Sequence, residues 1–350
     1  MEEPRRGEVL VGLTASGICG SDIHVLHGRS NAATFPLVLG HEGAGTVRAV
    51  GPEVEGVSVG DRVVLALYGP CHACRQCQRG RFPLCEGRAR QQAIFGRMAD
   101  GSTRLRTAEG SPLHPMVGTG TLAELAVLRA SQVVPIPDDL PLDLLCLAGC
   151  GVTTGLGAVF NTAGVGPGDS VAVVGCGGVG LNVVLGAAIA GAAEIVAIDS
   201  NPSKLALATE FGATATEAPE GRTVAEIVDR RVGGGVDYAF EVVGEPELIA
   251  QAFGATRPGG TCVMVGSPPP GASIPIDART LFNERRLLGC VGGSNVPARD
   301  IGRIVDLHRG GRLKLDRLVS TRRPLEDFAT ALDETERGDV ARSVVLMEEC

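Results

Sequence analysis

Eleven cysteines are the first chemistry the chain offers, and four of them fall in one short stretch. Cys71-x-x-Cys74-x-x-Cys77 is followed, after seven intervening residues, by Cys85. Four thiolates at that spacing match a closed tetrahedral zinc site, with every position filled by protein and none left for water or substrate. The segment is Gly/Arg-rich and cannot bury a core of its own, so metal would order it. Such a zinc is structural. Unligated thiols and an iron–sulfur cluster are the competing readings, though no electron-transfer partner site accompanies the motif.

Three more residues of metal-binding type are scattered. Cys19 sits in Gly17-Ile18-Cys19-Gly20-Ser21-Asp22-Ile23-His24, His41 in Gly40-His41-Glu42, and Cys150 in Gly149-Cys150-Gly151-Val152-Thr153-Thr154-Gly155. Three protein ligands with an open fourth position describe a catalytic zinc. Spacing alone does not bring these three together. Taken singly, each has an ordinary reading as a buried thiol or a hydrogen-bonded histidine.

The third constellation binds phosphate. Gly175-Cys176-Gly177-Gly178-Val179-Gly180 fits G-x-G-x-x-G. It follows an apolar strand pattern at 170–174 and opens a helix, the context the motif requires. Gly175 permits the tight turn, Gly177 lets the backbone approach a pyrophosphate, and Gly180 lets the helix pack close. The free N–H groups at the helix start face the phosphates. Asp199 ends the next strand, 19 residues after Gly180. A carboxylate there accepts from the ribose hydroxyls and repels a 2′-phosphate, favouring NAD over NADP. The alternative is that the glycines only shape a turn and Asp199 caps the helix that starts at Pro202.

These residues need two kinds of scaffold. Strand patterns at 8–13, 36–50, 61–68, 122–128 and 132–136, broken by Gly and Pro, predict an irregular β-rich domain. Residues 91–120 have no clear period and read as a long loop or excursion. From about 151 the grammar changes. Strands at 170–174, 194–198, 236–240 and 261–265 alternate with helices at 179–190, 202–211, 223–231 and 246–254, which predicts a parallel sheet with crossover helices. Helices at 298–310 and 324–336 and a strand at 342–347 leave that rhythm. The expected division is 1–150 with 292–350 against 151–291. The region 286–294 is the candidate exposed edge.

Bulk composition agrees. The 350 residues are 44% hydrophobic and 21% charged, too many for one core and ordinary for a globular protein of two domains. Net charge is −8 and no Lys/Arg run is present, which argues against nucleic acid or an anionic membrane as partner. Aromatic content of 3% with no Trp leaves little for a base-stacking surface. The apolar stretch 170–193 is broken by glycines in a pattern, so a membrane span is not expected. No secretory signal is read, and a cytoplasmic protein with reduced cysteines is expected.

The ordered motifs resemble those of the zinc-dependent medium-chain dehydrogenase/reductase superfamily, the alcohol dehydrogenase family. The resemblance also covers Gly234-Gly235-Val236-Asp237-Tyr238-Ala239-Phe240-Glu241 and Ala341-Arg342-Ser343-Val344. It implies an α/β protein: a GroES-like β-rich catalytic domain plus a Rossmann domain with a doubly wound parallel sheet. It implies two zinc ions per subunit, with Cys19, His41 and Cys150 holding the catalytic one and Cys71, Cys74, Cys77 and Cys85 the structural one. Glu42 resembles the acid that transiently approaches the metal, and Asp22 the carboxylate that orients His41. Ser21 and His24 resemble the proton relay. Thr154 resembles a residue close to the nicotinamide, Lys204 the lysine at the adenosine ribose, and Arg342 the arginine near the pyrophosphate. The implied reaction is hydride transfer between NAD(H) and a primary or aromatic alcohol or aldehyde, in a homodimer or homotetramer. A thiol-dependent formaldehyde dehydrogenase of the mycothiol type and a biosynthetic NAD(P)H-dependent reductase are the alternatives within the family.

The chain departs from that pattern in places. It starts about two strands later than relatives do, which leads one to expect an exposed sheet edge. Gly20 stands where animal relatives carry a basic pyrophosphate contact. The loop from His27 to Thr34 lacks the acid that glutathione-dependent members use. Arg29, Arg104 and Arg106 are candidates for a carboxylate or phosphate, with solvated surface as the alternative. Leu67 and Tyr68 fall where the family lines its substrate pocket. Cys146, Cys176, Cys262, Cys290 and Cys350 are expected to pack as small apolar groups. His72, His114 and His308 are expected on the surface or in loops.

Overall fold

The computed structural model describes residues 1–30 and 33–348. Cys350 therefore lies outside the described residues. The chain forms two compact units, Met1–Gly151 joined by the segment from Asn295 onward, and Val152–Ser294.

In the first unit the strand Glu8–Gly17 is the axis. Its residues Val9, Val11, Leu13 and Ala15 are at most 4% exposed. That run is longer than the 8–13 pattern suggests, because the pairing with Glu42–Val50 resumes at Ala15 after a bulge at Thr14. The strand pairs with Glu42–Val50 along most of its length, with Leu125–Arg129 at its start and with Arg342–Leu346 at its end. It is thus interior to the sheet rather than an edge. Across the sheet the order is Val319–Pro324, Arg342–Leu346, Glu8–Gly17, Glu42–Val50, Arg62–Leu65, Val133–Pro135. Val47, Val63, Leu65, Leu128 and Val345 join the axis residues in one core, closed by Ala331 and Leu332 of the helix Phe328–Arg337.

The stretch 91–120 is not a plain loop. It begins within the turn of helix Arg88–Ala93 and contains a hairpin, Leu105–Arg106 with Pro112–Pro115, that takes Leu37–Val38 as a third strand. Strands of two to four residues are too short to show a period, and this pairing is decided by a partner some 75 residues away. Arg104 is the part of this excursion that departs most from expectation. It is 3% exposed and grips buried Glu8 through Nε (2.8 Å) and Nη2 (2.6 Å). Arg106 pairs with Glu2. Neither guanidinium awaits a ligand; Arg104 fastens the excursion to the central strand.

The second unit holds a six-stranded, all-parallel sheet in the order Ala215–Glu217, Glu194–Ile198, Ser170–Val174, Val236–Glu241, Thr256–Met264, Arg286–Gly289. Chain order reverses between the third and fourth of these, the switch point where doubly wound sheets bind ligands. Ala172 and Val174 pack on Val224, Ile227, Val228 and Phe253 of two helices. Val171 and Val173 point to the opposite face. There the helix Gly178–Ala190 lies close, buried from Gly180 to Ala187. Helices on both faces explain why these strands read as unbroken apolar runs. Arg286–Gly289 is the outer strand, with Leu288 exposed. No single helix among the described residues is long and apolar enough to cross a membrane.

Candidate active site and dinucleotide turn

Two clusters of metal-binding side chains form in the first unit. Cys71, Cys74, Cys77 and Cys85 place their sulfurs within 4.8 Å of one another. The chain wraps so tightly that its own N–H groups point at the sulfurs. Cys74 N–H donates to Cys71 Sγ, Cys77 and Glu86 N–H to Cys74 Sγ, and Gly87 N–H to Cys85 Sγ, all at 3.4 Å. Those donors favour thiolate and pull the Cys74 thiol down to about 6, whereas burial pushes Cys77 up to about 12. Gly87 is required here: a Cβ would lie 2.7 Å from the Cβ of Cys71 and 3.0 Å from its sulfur.

The second cluster is Cys19, His41, Glu42 and Cys150, all buried, with ligand atoms likewise within 4.8 Å. Each arrives at the end of an element. Cys19 lies between the strand Glu8–Gly17 and the helix Gly20–Leu26. His41 precedes the strand Glu42–Val50, and Cys150 ends the turn Cys146–Gly149. The approach to His41 is set by the end of the excursion: Gly40 (φ 90°) accepts from Thr121 N–H, and a Cβ there would meet Thr121 Oγ1 at 2.5 Å. Gly149 and Gly17 are equally constrained, by the Leu65 carbonyl oxygen at 2.4 Å and Glu42 Oε2 at 2.3 Å from their would-be Cβ atoms.

Asp22, fully buried, organises the cluster. Its Oδ2 accepts the N–H of Cys19 (2.9 Å) and its Oδ1 that of Gly40 (3.1 Å), with His41 Nδ1 3.2 Å from Oδ1. A carboxylate already taking two N–H bonds assigns a proton to Nδ1 and turns Nε2 inward. Nε2 is buried and has no hydrogen-bond partner. Burial alone would depress His41, but Asp22 and then Cys19 outweigh it and raise it to about 10. The hydrogen bond with Cys150, against burial and helped by His41, holds the Cys19 thiol well below its usual range. Glu42 is fastened on both oxygens, to Gly151 N–H (2.8 Å) and to the Arg342 guanidinium. Ser21 and His24 share one face of the helix Gly20–Leu26, three residues apart. Ser21 is exposed, its Oγ 3.9 Å from Cys19 Sγ, and His24 is half-buried.

In the second unit the glycine turn follows Ser170–Val174 at the switch point. Gly175 has φ 93°, and a Cβ there would meet Val243 Cγ2 at 2.7 Å. A Cβ on Gly180 would lie 1.8 Å from the Gly175 carbonyl oxygen, so only glycine lets the helix Gly178–Ala190 start so close. A Cβ on Gly177 would meet nothing within 4 Å. Asp199 accepts Cys176 N–H (2.7 Å) and Asn201 N–H (2.8 Å). The cap of the helix Pro202–Glu210 is Asn201, which accepts from Ser203 N–H, so Asp199 does not serve as that cap. Lys204 is half-buried in the first turn of the same helix, and Thr154 is buried in the helix Gly151–Gly157.

Residues 5–138 match the family model described as alcohol dehydrogenase GroES-like domain, and 178–307 that described as zinc-binding dehydrogenase. The chain is 35% identical over 355 residues to the S-(hydroxymethyl)glutathione dehydrogenase of Saccharomyces cerevisiae, covering 100% of this chain and 92% of the yeast protein. It is 38% identical over 354 residues to the geraniol dehydrogenase of Castellaniella defragrans, covering 98% and 91%. The solved benzyl alcohol dehydrogenase of Acinetobacter calcoaceticus superposes with a TM-score of 0.92 at 32% identity, covering 99% and 94%. The chain belongs to the zinc-dependent medium-chain dehydrogenase/reductase superfamily.

As a member of the alcohol dehydrogenase family it is a nicotinamide-dependent zinc oxidoreductase. Both clusters fit zinc by their own chemistry. One offers four sulfurs, three of them already accepting N–H bonds. The other offers two sulfurs and a fixed imidazole whose buried Nε2 lacks a partner. Sequence reading missed several participants. Nothing in the pattern around Arg129 marks it as buried, since an arginine after an apolar run reads as a strand end; Arg90 is half-buried with its Nε enclosed. Glu241, fully buried, accepts Val243 and Gly244 N–H at 2.8 Å and shapes the loop beside Gly175. Its place in the matching motif was visible; its role was not. Tyr68, expected as pocket wall, lies under the Arg90 guanidinium at 4.4 Å.

Proposed function

We propose that this chain interconverts primary or aromatic alcohols and their aldehydes with NAD(H), as a homo-oligomer carrying two zinc ions per subunit. The observation that carries this reading is the buried cluster of Cys19, His41 and Cys150 with Asp22 behind the imidazole. A zinc ion held by those three would serve as Lewis acid toward the substrate oxygen. The chain supplies the rest. Asp22 fixes the ring and tautomer of His41. Glu42 stands beside the ligands, restrained by Gly151 and Arg342. Ser21 and His24 carry the substrate proton outward, a task suited to an imidazole, whose two ring nitrogens can take a proton on one side and give one on the other. Cys71, Cys74, Cys77 and Cys85 hold the structural ion.

Gly175, Gly177, Gly178, Val179 and Gly180 form the pyrophosphate cradle. Asp199 and Lys204 take the adenosine ribose, Thr154 the nicotinamide side and Arg342 the pyrophosphate. Asp199 favours NAD, because its charge repels a 2′-phosphate. The catalytic domain is 1–150 with 292–350 and the NAD domain 151–291. Leu67 supplies an apolar wall, and the loop 27–34 offers no acid for a glutathione-type carrier. That favours an apolar alcohol. Relatives named as S-(hydroxymethyl)glutathione dehydrogenases keep a thiol adduct as the second reading.

The test is NADH formation by the zinc-loaded protein with a panel of primary, benzylic and secondary alcohols, with and without formaldehyde plus thiol. Turnover of primary or benzylic alcohols without thiol is expected. Activity only with formaldehyde and thiol would replace this reading with the second one. Zinc and NADH binding without turnover would overturn both.

A further inference from the structure

Two arginines beside the four-cysteine lobe are unpaired in a way that their surroundings explain. Arg129, 9% exposed, ends the strand Leu125–Arg129. Its Nε donates to Gln132 Oε1 (3.0 Å) and its Nη1 to the Gly69 carbonyl (3.3 Å), two residues before Cys71. Its Nη2 is buried with no acceptor. Arg90 follows Cys85 by five residues, on the helix Arg88–Ala93, stacked on Tyr68. Its Nε is likewise buried without an acceptor. Neither guanidinium pairs with an Asp or Glu among the described residues. Cys71 and Cys85 lie close enough that their thiolate forms would attract Arg129, which Arg90 repels. A thiolate at Cys85 would attract Arg90 in the same way.

Two like charges with buried N–H groups are costly without a counter-charge. Neutral thiols supply none. Four thiolates around a divalent ion carry a net charge of −2, which two guanidiniums match. We propose that Arg90 and Arg129 are the charge partners of the metal–thiolate lobe and hold a divalent ion in it. This rests on reading the lobe as a four-thiolate metal site. Burial, followed by the repulsion from Arg90, pulls Arg129 down to about 10, so it stays charged at neutral pH and its need for an anion persists. The arrangement also ties lobe to sheet: Arg129 holds the Gly69 carbonyl, and Arg90 covers Tyr68.

The test uses the purified, zinc-loaded enzyme. Zinc transfer to 4-(2-pyridylazo)resorcinol is followed at fixed pH for the natural chain, Arg129→Gln, Arg129→Lys and Arg90→Gln. The same four proteins are loaded with Co2+ and their thiolate charge-transfer bands recorded. Outer partners of a metal site typically change its affinity 10–100-fold. Arg129→Gln is expected to weaken lobe binding by about 10-fold or more and to shift the cobalt band, while the second zinc is unaffected. Arg129→Lys restores most of the loss. Arg90→Gln gives a smaller loss of the same sign, and it carries the test if Arg129→Gln does not fold. Lobe affinity and band unchanged in both glutamine variants would overturn the proposal. A natural chain containing only one metal, at the Cys19 cluster, would instead overturn the four-thiolate reading and the proposal with it.

Discussion

Gly177 and Gly180 stand three residues apart, and the same substitution should damage each by a different route. In Gly180→Ala the new methyl lies 1.8 Å from a backbone oxygen, where ordinary contact is 3.4–4 Å. Neither partner is a flexible side-chain end, so the helix start must back away by well over an ångström. Overpacking of that kind costs about 1–3 kcal/mol. In Gly177→Ala the methyl meets nothing within 4 Å and φ is −69°. Losing glycine at a helix N-cap and restricting the unfolded chain offset each other, leaving a net effect within about 1 kcal/mol. The cofactor, however, approaches the backbone at this position, and an intruding methyl should weaken NADH by about tenfold, or 1.4 kcal/mol. Thermal melting without cofactor, paired with NADH fluorescence titration, separates the two. Gly180→Ala is expected to melt earlier and bind poorly; Gly177→Ala is expected to melt normally and bind poorly. If Gly177→Ala binds NADH as the natural chain does, the pyrophosphate does not lie against this turn and the assignment of the cradle is wrong.

Asp22→Asn leaves at least one of three N–H groups facing an amide NH2. It should weaken catalytic zinc by about 10–100-fold in chelator competition while the lobe keeps its metal; equal retention at both sites would refute the orienting role. Asp199→Ala should raise the NADP-to-NAD ratio of kcat/KM by removing the charge that repels a 2′-phosphate, and an unchanged ratio would count against it. Arg104→Gln leaves Glu8 buried without a counter-charge, its carboxylate keeping only the Arg5 N–H, a loss of about 3–5 kcal/mol. It should lower Tm clearly yet keep specific activity per folded molecule; an unchanged Tm would refute the fastening role. Cys77→Ser should lose one zinc and stability, whereas Cys150→Ser should lose the other and all activity, as metal analysis and turnover would register.

Legibility in the sequence followed the range of the forces. The four inner strands of the second unit's sheet were readable because they are largely buried and each helix is local. Of the outer strands, short and partly exposed, Ala215–Glu217 was not read as a strand and Arg286–Gly289 was read only as a candidate edge. The roles of Gly175 and Gly180 followed from the same local geometry. The lobe was readable because its four sulfurs lie within 15 residues. Convergence of Cys19, His41 and Cys150 was not, since it depends on sheet pairing between distant strands; resemblance supplied it. The hairpin within 91–120 and the burial of Arg104 escaped for a related reason. Arg104 becomes interior because a distant acid, Glu8, is brought to meet it, and no local pattern records that meeting.

Glu42 and Arg342 meet across 300 residues. The strand that carries Arg342 lies between Glu8–Gly17 and Val319–Pro324 in the first unit's sheet. During synthesis, then, the catalytic unit waits. Its central strand keeps one flank open at Ala15–Gly17, beside Cys19, until residue 346 has been made. The second unit is continuous in sequence and can fold during that interval, while the metal ligands of the first remain incompletely enclosed. The nascent chain thus passes through a stage with a finished nucleotide fold and an unfinished metal pocket, the stage at which premature thiol oxidation or wrong-metal capture would do most harm.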